Sequence, residues 1–244
     1  MKEKYFSATR MSVIAVFAAL AFALYLVRIP LAFAFAPWLE LNFSDIPALI
    51  GTFALGPMAG SIVVIIKILL KLVVQGTSTA FVGELADLLI GLALVLPAGA
   101  VYRKKRTVGG AVLAIVAGSV CSVACAVLAN RFVLIPFYAR QYGMGTLAGM
   151  LTALFPACTE ENFYTFYLWA SVLPFNLLRC LAAGIVAFFV YKHVSRLIKR
   201  LNDRFDPPQR EGEEKKKNPL PAVIFFAVLL LLIGGVLLRY FLTK

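Results

Sequence analysis

The chain has 244 residues, 61% of them hydrophobic and only 15% charged, with a mean hydropathy of +0.89 and a formal net charge of +12. No soluble domain of that length can bury so much apolar surface, so the composition leaves no room for a soluble catalytic domain and points to an all-α, polytopic membrane bundle. The basic excess falls in short loops between apolar runs, as the positive-inside rule requires, so no nucleic-acid partner is expected.

In chain order, Lys2, Lys4 and Arg10 precede a first apolar span at residues 11–29, which lacks a small-residue cleavage pattern and reads as retained. A loop at 30–44 follows, with Pro30, Pro37, Trp38 and Glu40. The apolar run from Asp45 to residue 74 is too long for one span of about 20 residues. Gly56-Pro57 divides it into a short helix at 45–55 and a second at 57–74, because proline fits a first helical turn. A polar turn at 75–79 leads to a fourth helix at 80–102. Arg103-Lys104-Lys105-Arg106 separates it from a fifth at 107–129. A long connection at 130–166 contains Pro136 and Pro156, and a sixth helix is expected at 167–190. The segment 192–218 carries nine basic and five acidic residues and reads as a charged linker; 220–242 is a clean seventh span. The expected organisation is a membrane domain over 1–200, a charged cytoplasmic linker over 201–218 and an additional transmembrane helix over 219–244.

With the N-terminus inside, the division at Gly56-Pro57 places both Arg103–Arg106 and the basic 192–217 segment in the cytoplasm; without it they face out. Charge bias favours the division. The connections at 30–44, 75–79 and 130–166 then share the outer face, in a multi-pass protein of the cell membrane.

Those three connections are rich in neutral hydrogen-bonding groups: Asn42, Ser44 and Asp45; Gln75, Thr77, Ser78 and Thr79; Asn130, Tyr138, Gln141, Thr159 and Asn162. Aromatic residues such as Trp38, Phe43, Phe81 and Tyr164 are interleaved. Flat faces beside amides and hydroxyls suit a planar heterocycle with a polyol tail. The alternative is an interfacial aromatic belt with helix caps, Ser44 or Asp45 serving as an N-cap. Charges inside spans cost roughly 2.5–3.5 kcal/mol even on the lenient scale. Lys67 therefore either pairs with Glu84 or Asp87 as a structural lock, or Glu84 lines a pocket. Asn176 and Arg179 lie three apart after Pro174, on one helix face, and can read imide-like carbonyls and ring nitrogens; the alternative is Arg179 pairing with a backbone carbonyl or with the fourth helix. Ala15, Ala19 and Ala23 form a flat strip that lets another helix approach. Cys121, Cys125, Cys158 and Cys180 show neither metal-ligand nor disulfide spacing. The sequence has no HExxH, Walker or GxSxG motif, so no catalytic residue and no metal site is assigned.

Leu41-Asn42-Phe43-Ser44-Asp45-Ile46-Pro47-Ala48-Leu49-Ile50-Gly51 and Gly56-Pro57-Met58-Ala59-Gly60 resemble the substrate-binding S subunit of energy-coupling factor (ECF) vitamin transporters. Adding the stretch from Gly76-Thr77-Ser78-Thr79 through Glu84 to Asp87, Ile135-Pro136-Phe137-Tyr138-Ala139 and Pro174-Phe175-Asn176-Leu177-Leu178-Arg179, the chain looks like the riboflavin-specific branch over about residues 10–200. The resemblance implies a six-helix S-component core with a vitamin pocket near the outer face, lidded by the loop after the first helix. It implies Asn42, Ser44, Asp45, Thr77, Ser78, Thr79, Glu84, Asn130, Tyr138, Asn176 and Arg179 as substrate-binding residues, with Arg179 where the family usually has lysine. Ala15, Ala19 and Ala23 would dock a transmembrane coupling subunit, itself driven by two cytoplasmic ATPases, and the loaded subunit would topple to release its vitamin inward. The resemblance implies riboflavin as the transported ligand, flavin mononucleotide being a further candidate, and it implies no cofactor. Alternatives are an S subunit for thiamine or pantothenate, an integral membrane enzyme using Glu84, Asp87 and Lys67, or a scaffold whose 192–218 linker binds anionic lipid. Relative to the family, the linker and seventh span are additions, and Ile68 stands where asparagine is common.

Overall fold

The computed structural model describes residues 8–205. Helix α1 (Ala8–Leu26) leads into a loop pinned by a two-residue antiparallel pairing, β1 (Ile29–Pro30) against β2 (Glu40–Leu41), with Ile29 opposite Leu41. Then come α2 (Asp45–Leu55), α3 (Pro57–Gln75), α4 (Val82–Lys104) and α5 (Val108–Ala129). A π-helical segment, Asn130–Leu134, joins α5 to α6 (Ile135–Tyr142), and α7 (Met144–Thr152) follows. A single turn, α8 (Phe163–Thr165), opens a second π segment, Phe166–Val172, which runs into α9 (Leu173–Phe205). Among the described residues five helical stretches are long and apolar enough to cross a membrane: Ala8–Leu26, Pro57–Gln75, Val82–Lys104, Val108–Tyr142 and Phe163–Val194. Apolar side chains face outward along them, Val73 at 83% and Phe189 at 69% exposure, as a lipid-solvated bundle requires.

The division at Gly56-Pro57 follows from backbone geometry. Gly56 sits at φ 101°, ψ 170°, a conformation that favours glycine, and Pro57 starts α3 where its missing N–H costs nothing. The eleven residues of α2 rise only about 16 Å, roughly half the hydrocarbon thickness. Eight of them, from Asp45 through Phe53, are buried, so α2 is an interior element wedged among α3, α4 and α9. Helix α4 is the central post. It packs most extensively on α5, and their close approach depends on Gly118: a Cβ there would come 2.4 Å from the Leu94 carbonyl oxygen.

Two expectations are corrected. The connection expected over 130–166 is largely helical, because the helix begun at Val108 continues through Pro136 to Tyr142. The last helix begins at Phe163 and runs past 190 to Phe205, so the segment read as linker from 192 starts as helix. Both π segments end two residues before a proline, Pro136 and Pro174. A proline inside a helix cannot donate to the carbonyl four residues back and crowds it. Widening the preceding turn to i→i−5 relieves the clash: Ile135 N–H donates to Asn130 O, and Leu173 N–H to Leu168 O. Pro97, inside α4, is accommodated without such widening. The rest of the charged segment and the seventh span expected at 220–242 lie outside the described residues.

Candidate binding site

The polar connections converge on one end of the bundle. A cavity of about 210 Å³ there is lined by residues of all three, with Arg28 just before the first: Trp38, Glu40 and Asn42 from the first; Ser78 and Thr79 from the second; Asn130, Tyr138 and the adjoining Tyr167 from the π segments and their neighbours. Helices add Tyr25, Lys71, Glu84, Asp87, Phe175, Asn176 and Arg179. The basic Arg103–Arg106 cluster lies at the other end of α4, roughly 30 Å away by helical rise.

The α3–α4 turn is held by one carboxylate. Glu84, in the first turn of α4 and buried, accepts from Lys71 on α3, from Thr77 Oγ1 (3.0 Å) and from Thr79 Oγ1 (2.8 Å). A carboxylate has about four acceptor positions, so Glu84 has little capacity left for a ligand and acts mainly as a clamp. The clamp is needed because Ala80 (φ 47°) and Phe81 (φ 67°) are consecutive non-glycine residues in the left-handed region, at a cost of order 1–3 kcal/mol each. Thr77 Oγ1 further accepts from the N–H groups of Thr79 and Phe81, and Thr79 Oγ1 from Gly83 N–H. The strained turn thereby presents Ser78 and Thr79 to the cavity.

Beneath the cavity lies a buried ion cluster. Lys67 Nζ donates to Asp45 Oδ1 (2.9 Å) and Ser44 Oγ (2.8 Å), and Arg179 Nε stands 3.4 Å from Asp45 Oδ2. Arg179 Nη2 reaches Ser122 Oγ at 3.3 Å, and Ser122 in turn donates to the Ile90 carbonyl. The expected lock through Lys67 therefore exists with different partners: Lys67 pairs with Asp45, and Glu84 takes Lys71 instead. Lys67 and Lys71 are one turn apart on α3, so each meets the carboxylate at its own level. The alternative of a capping side chain at Ser44 is not what the structure has. Its side chain caps nothing; its hydroxyl donates to Asn42 Oδ1 (2.7 Å) and accepts from Lys67.

The aromatic wall is a hydrogen-bonded chain. Trp38 Nε1 donates to Tyr167 OH (2.9 Å), Tyr167 OH donates to Asn130 Oδ1 (2.6 Å), and Asn130 Nδ2 donates to the Ala126 carbonyl (2.8 Å). Tyr167 is fully buried and stacks on Phe163 at 5.3 Å, while Phe35 meets Phe175 edge-on at 5.6 Å. Both partners of the Tyr167–Asn130 bond come from π segments, and both are buried. Across the cavity, Tyr25 OH donates to Asp87 Oδ2 (2.7 Å), and Arg28 bridges Glu40 (3.3 Å) and Gln75 (2.8 Å).

Among the residues singled out from sequence, Asn42, Ser78, Thr79, Glu84, Asn130, Tyr138, Asn176 and Arg179 line the cavity, while Ser44, Asp45 and Thr77 sit directly behind it as supports. Gln141, Thr159 and Asn162 do not reach it; Asn162 ties its own loop by accepting from Thr159 N–H. Sequence reading missed Tyr25, Arg28, Lys71 and Tyr167, and gave Asp87 a pairing role. The available signal was Lys71, one turn after Lys67 and equally improbable inside a span. Asn176 Nδ2 donates to the Val172 carbonyl (2.8 Å), which leaves its Oδ1 available. Asp87 Oδ1 and the Arg179 guanidinium likewise keep capacity for a ligand. The charged lining, Arg28, Lys71 and Arg179 against Glu40, Glu84 and Asp87, is balanced, so the cavity suits a polar but uncharged molecule with a flat apolar part. Ala15, Ala19 and Ala23 all lie exposed on the outward face of α1.

The family described as "ECF transporter, substrate-specific component" matches residues 9–195. The chain is 28% identical over 192 residues to the riboflavin transporter RibU of Staphylococcus aureus (strain TCH60), covering 79% of this chain and 93% of that protein. It is 25% identical over 183 residues to the riboflavin transporter FmnP of Bacillus subtilis (strain 168), covering 75% and 90%. A solved structure of the S component of a bacterial ECF transporter superposes with a TM-score of 0.58 at 28% identity, over 78% of this chain and 98% of that one.

Proposed function

The chain belongs to the substrate-specific components of ECF transporters, multi-pass membrane proteins of transport and not enzymes, and within that family we propose that it binds riboflavin and delivers it across the membrane. The observation that carries this reading is the single cavity in which Trp38, Tyr138, Tyr167 and Phe175 stand beside charge-balanced polar groups with spare hydrogen-bonding capacity. Flat rings suit the isoalloxazine; Asn176, Asp87 and Arg179 suit its carbonyls and imide, and Asn42, Ser78 and Thr79 the ribityl hydroxyls. At about 210 Å³ the cavity is smaller than the roughly 300–1,000 Å³ usual for such ligands. The loop between α1 and α2, which contributes Trp38, Glu40 and Asn42, therefore opens for the vitamin and closes over it.

In this reading the N-terminus is cytoplasmic, the cavity faces outward, and residues 219–244 add a span after the charged segment. A transmembrane coupling subunit docks on Ala15, Ala19 and Ala23 and two cytoplasmic ATPases drive it, the loaded subunit toppling to release its vitamin inward. The test is fluorescence quenching of riboflavin by the purified full chain, against thiamine and pantothenate. Saturable riboflavin quenching that neither competitor reverses supports the reading, and absent quenching ends it. Flavin mononucleotide adds a phosphate to a cavity without surplus cations and binds more weakly.

A further inference from the structure

The end of the bundle remote from this cavity carries a second site of different chemistry. A cavity of about 430 Å³ opens there between the α4–α5 turn and α9, lined by Tyr102, Arg106, Thr107, Tyr191, Lys192 and Arg196, with Val108 at its edge. Its floor is an aromatic cluster: Phe53 lies 4.9 Å from Tyr102 and 5.5 Å from Tyr191, and the two tyrosine rings meet edge-on at 5.6 Å. Among the described residues its walls carry three cations and no carboxylate. Among the described residues none of the three forms an ion pair, and Arg196 Nε spends its bond on the Lys192 carbonyl, 3.3 Å away.

Lys192 and Arg196 are one turn apart on a single helix face, and Arg106 confronts them from the α4–α5 turn. Like charges at that spacing destabilise a helix. A bound anion offsets the repulsion and turns the three side chains into a phosphate clamp of two guanidinium forks and an ammonium. The N-terminus of α5 is not the source of the site, since Thr107 Oγ1 already accepts from Gly110 N–H. The flanks identify the source of the phosphate. Val108 and Val112 on α5, and Ile185, Phe189 and Val190 on α9, are all exposed apolar residues leading away from the cavity. Acyl chains lie along such faces while the headgroup turns into the cavity.

We propose that the cavity between the α4–α5 turn and α9 binds the phosphate headgroup of an anionic phospholipid, held by Arg106, Lys192 and Arg196. A zwitterionic headgroup fits poorly, because its ammonium would face the three cations.

The test uses the full chain in detergent, with native mass spectrometry comparing retention of dioleoylphosphatidylglycerol and dioleoylphosphatidylcholine. Three proteins are compared: the unaltered chain, R106Q/K192Q/R196Q, and the control R103Q/K104Q/K105Q, which removes equal charge beside the cavity without touching its lining. The unaltered chain and the control should prefer phosphatidylglycerol by about tenfold or more, and the first triple variant should lose the preference. Riboflavin quenching serves as an independent check of folding and should be unchanged in both variants, so failure of the lipid proposal and failure of the vitamin reading stay distinguishable. Release of bound phosphatidylglycerol by millimolar inorganic phosphate would support the clamp with free phosphate as its source; resistance would support the lipid. Equal retention of the two lipids by the unaltered chain, or equal loss of preference in both triple variants, would overturn the site.

Discussion

The buried cluster of Asp45, Lys67 and Arg179 makes an asymmetric prediction. Among the described residues Asp45 is the only carboxylate in contact with both cations: Lys67 donates to one of its oxygens at 2.9 Å and Arg179 Nε stands 3.4 Å from the other. Asp45→Asn keeps the shape and removes the charge, which strands two cations in a dry interior. Removing one partner of a buried pair costs about 3–5 kcal/mol, and here two partners are stranded, so the loss belongs at the upper end of that range. Lys67→Met removes one charge-assisted bond to Asp45 and one to Ser44, but leaves Asp45 neutralised by Arg179 and leaves Ser44 donating to Asn42. Its cost is that of a charged hydrogen bond, about 1.5–3 kcal/mol. Both variants are to be purified in one detergent and their unfolding followed by circular dichroism against increasing sodium dodecyl sulfate. Asp45→Asn should unfold at the lower concentration, and it should also weaken riboflavin binding, because Arg179 loses the carboxylate that orients it toward the cavity. If Lys67→Met proves as damaging as Asp45→Asn, Arg179 does not neutralise Asp45 and the cluster is a simple pair.

Asn176→Ala removes an acceptor facing the cavity and should weaken riboflavin binding by about 1–3 kcal/mol, read by fluorescence titration; an unchanged titration would take Asn176 out of the site. Ala19→Trp puts a large ring in the middle of the exposed alanine strip of α1. It should abolish co-purification with the coupling subunit while leaving riboflavin quenching intact, and normal assembly would dismiss the strip as the docking face.

What was legible in the sequence was local. Gly56-Pro57 carries its own geometry, so the bounds of α2 and the start of α3 could be placed to the residue. The polar turn before α4 announced itself by composition. Partner choice was not local. Lys67 meets Asp45, and Lys71 meets Glu84, because α2 folds back on α3 at the Gly56 joint and α4 returns at the Thr77 turn; the levels at which charges meet are set by those two joints. Tyr25, Arg28 and Tyr167 reach the cavity through the same tertiary arrangement, and nothing in their immediate neighbourhoods marks them.

Pro136 shows why placing it in a non-helical connection failed, and Pro174, expected within the sixth helix, shows the same backbone device. In water a proline after apolar helix ends the helix cheaply, since freed carbonyls find solvent. In hydrocarbon those carbonyls must stay bonded within the protein, and at Pro136 and Pro174 the chain widens to a π turn and continues. The widened turn at Asn130–Leu134 starts with the side chain that receives Tyr167, and the one at Phe166–Val172 carries Tyr167 itself and ends at the carbonyl that holds Asn176. Pro136 and Pro174 thus act through the backbone of the preceding turn, and both partners of the Tyr167–Asn130 bond sit in the turns so widened. In this chain each of the two widened turns that precede an intramembrane proline contributes a side chain to the cavity, Asn130 before Pro136 and Tyr167 before Pro174.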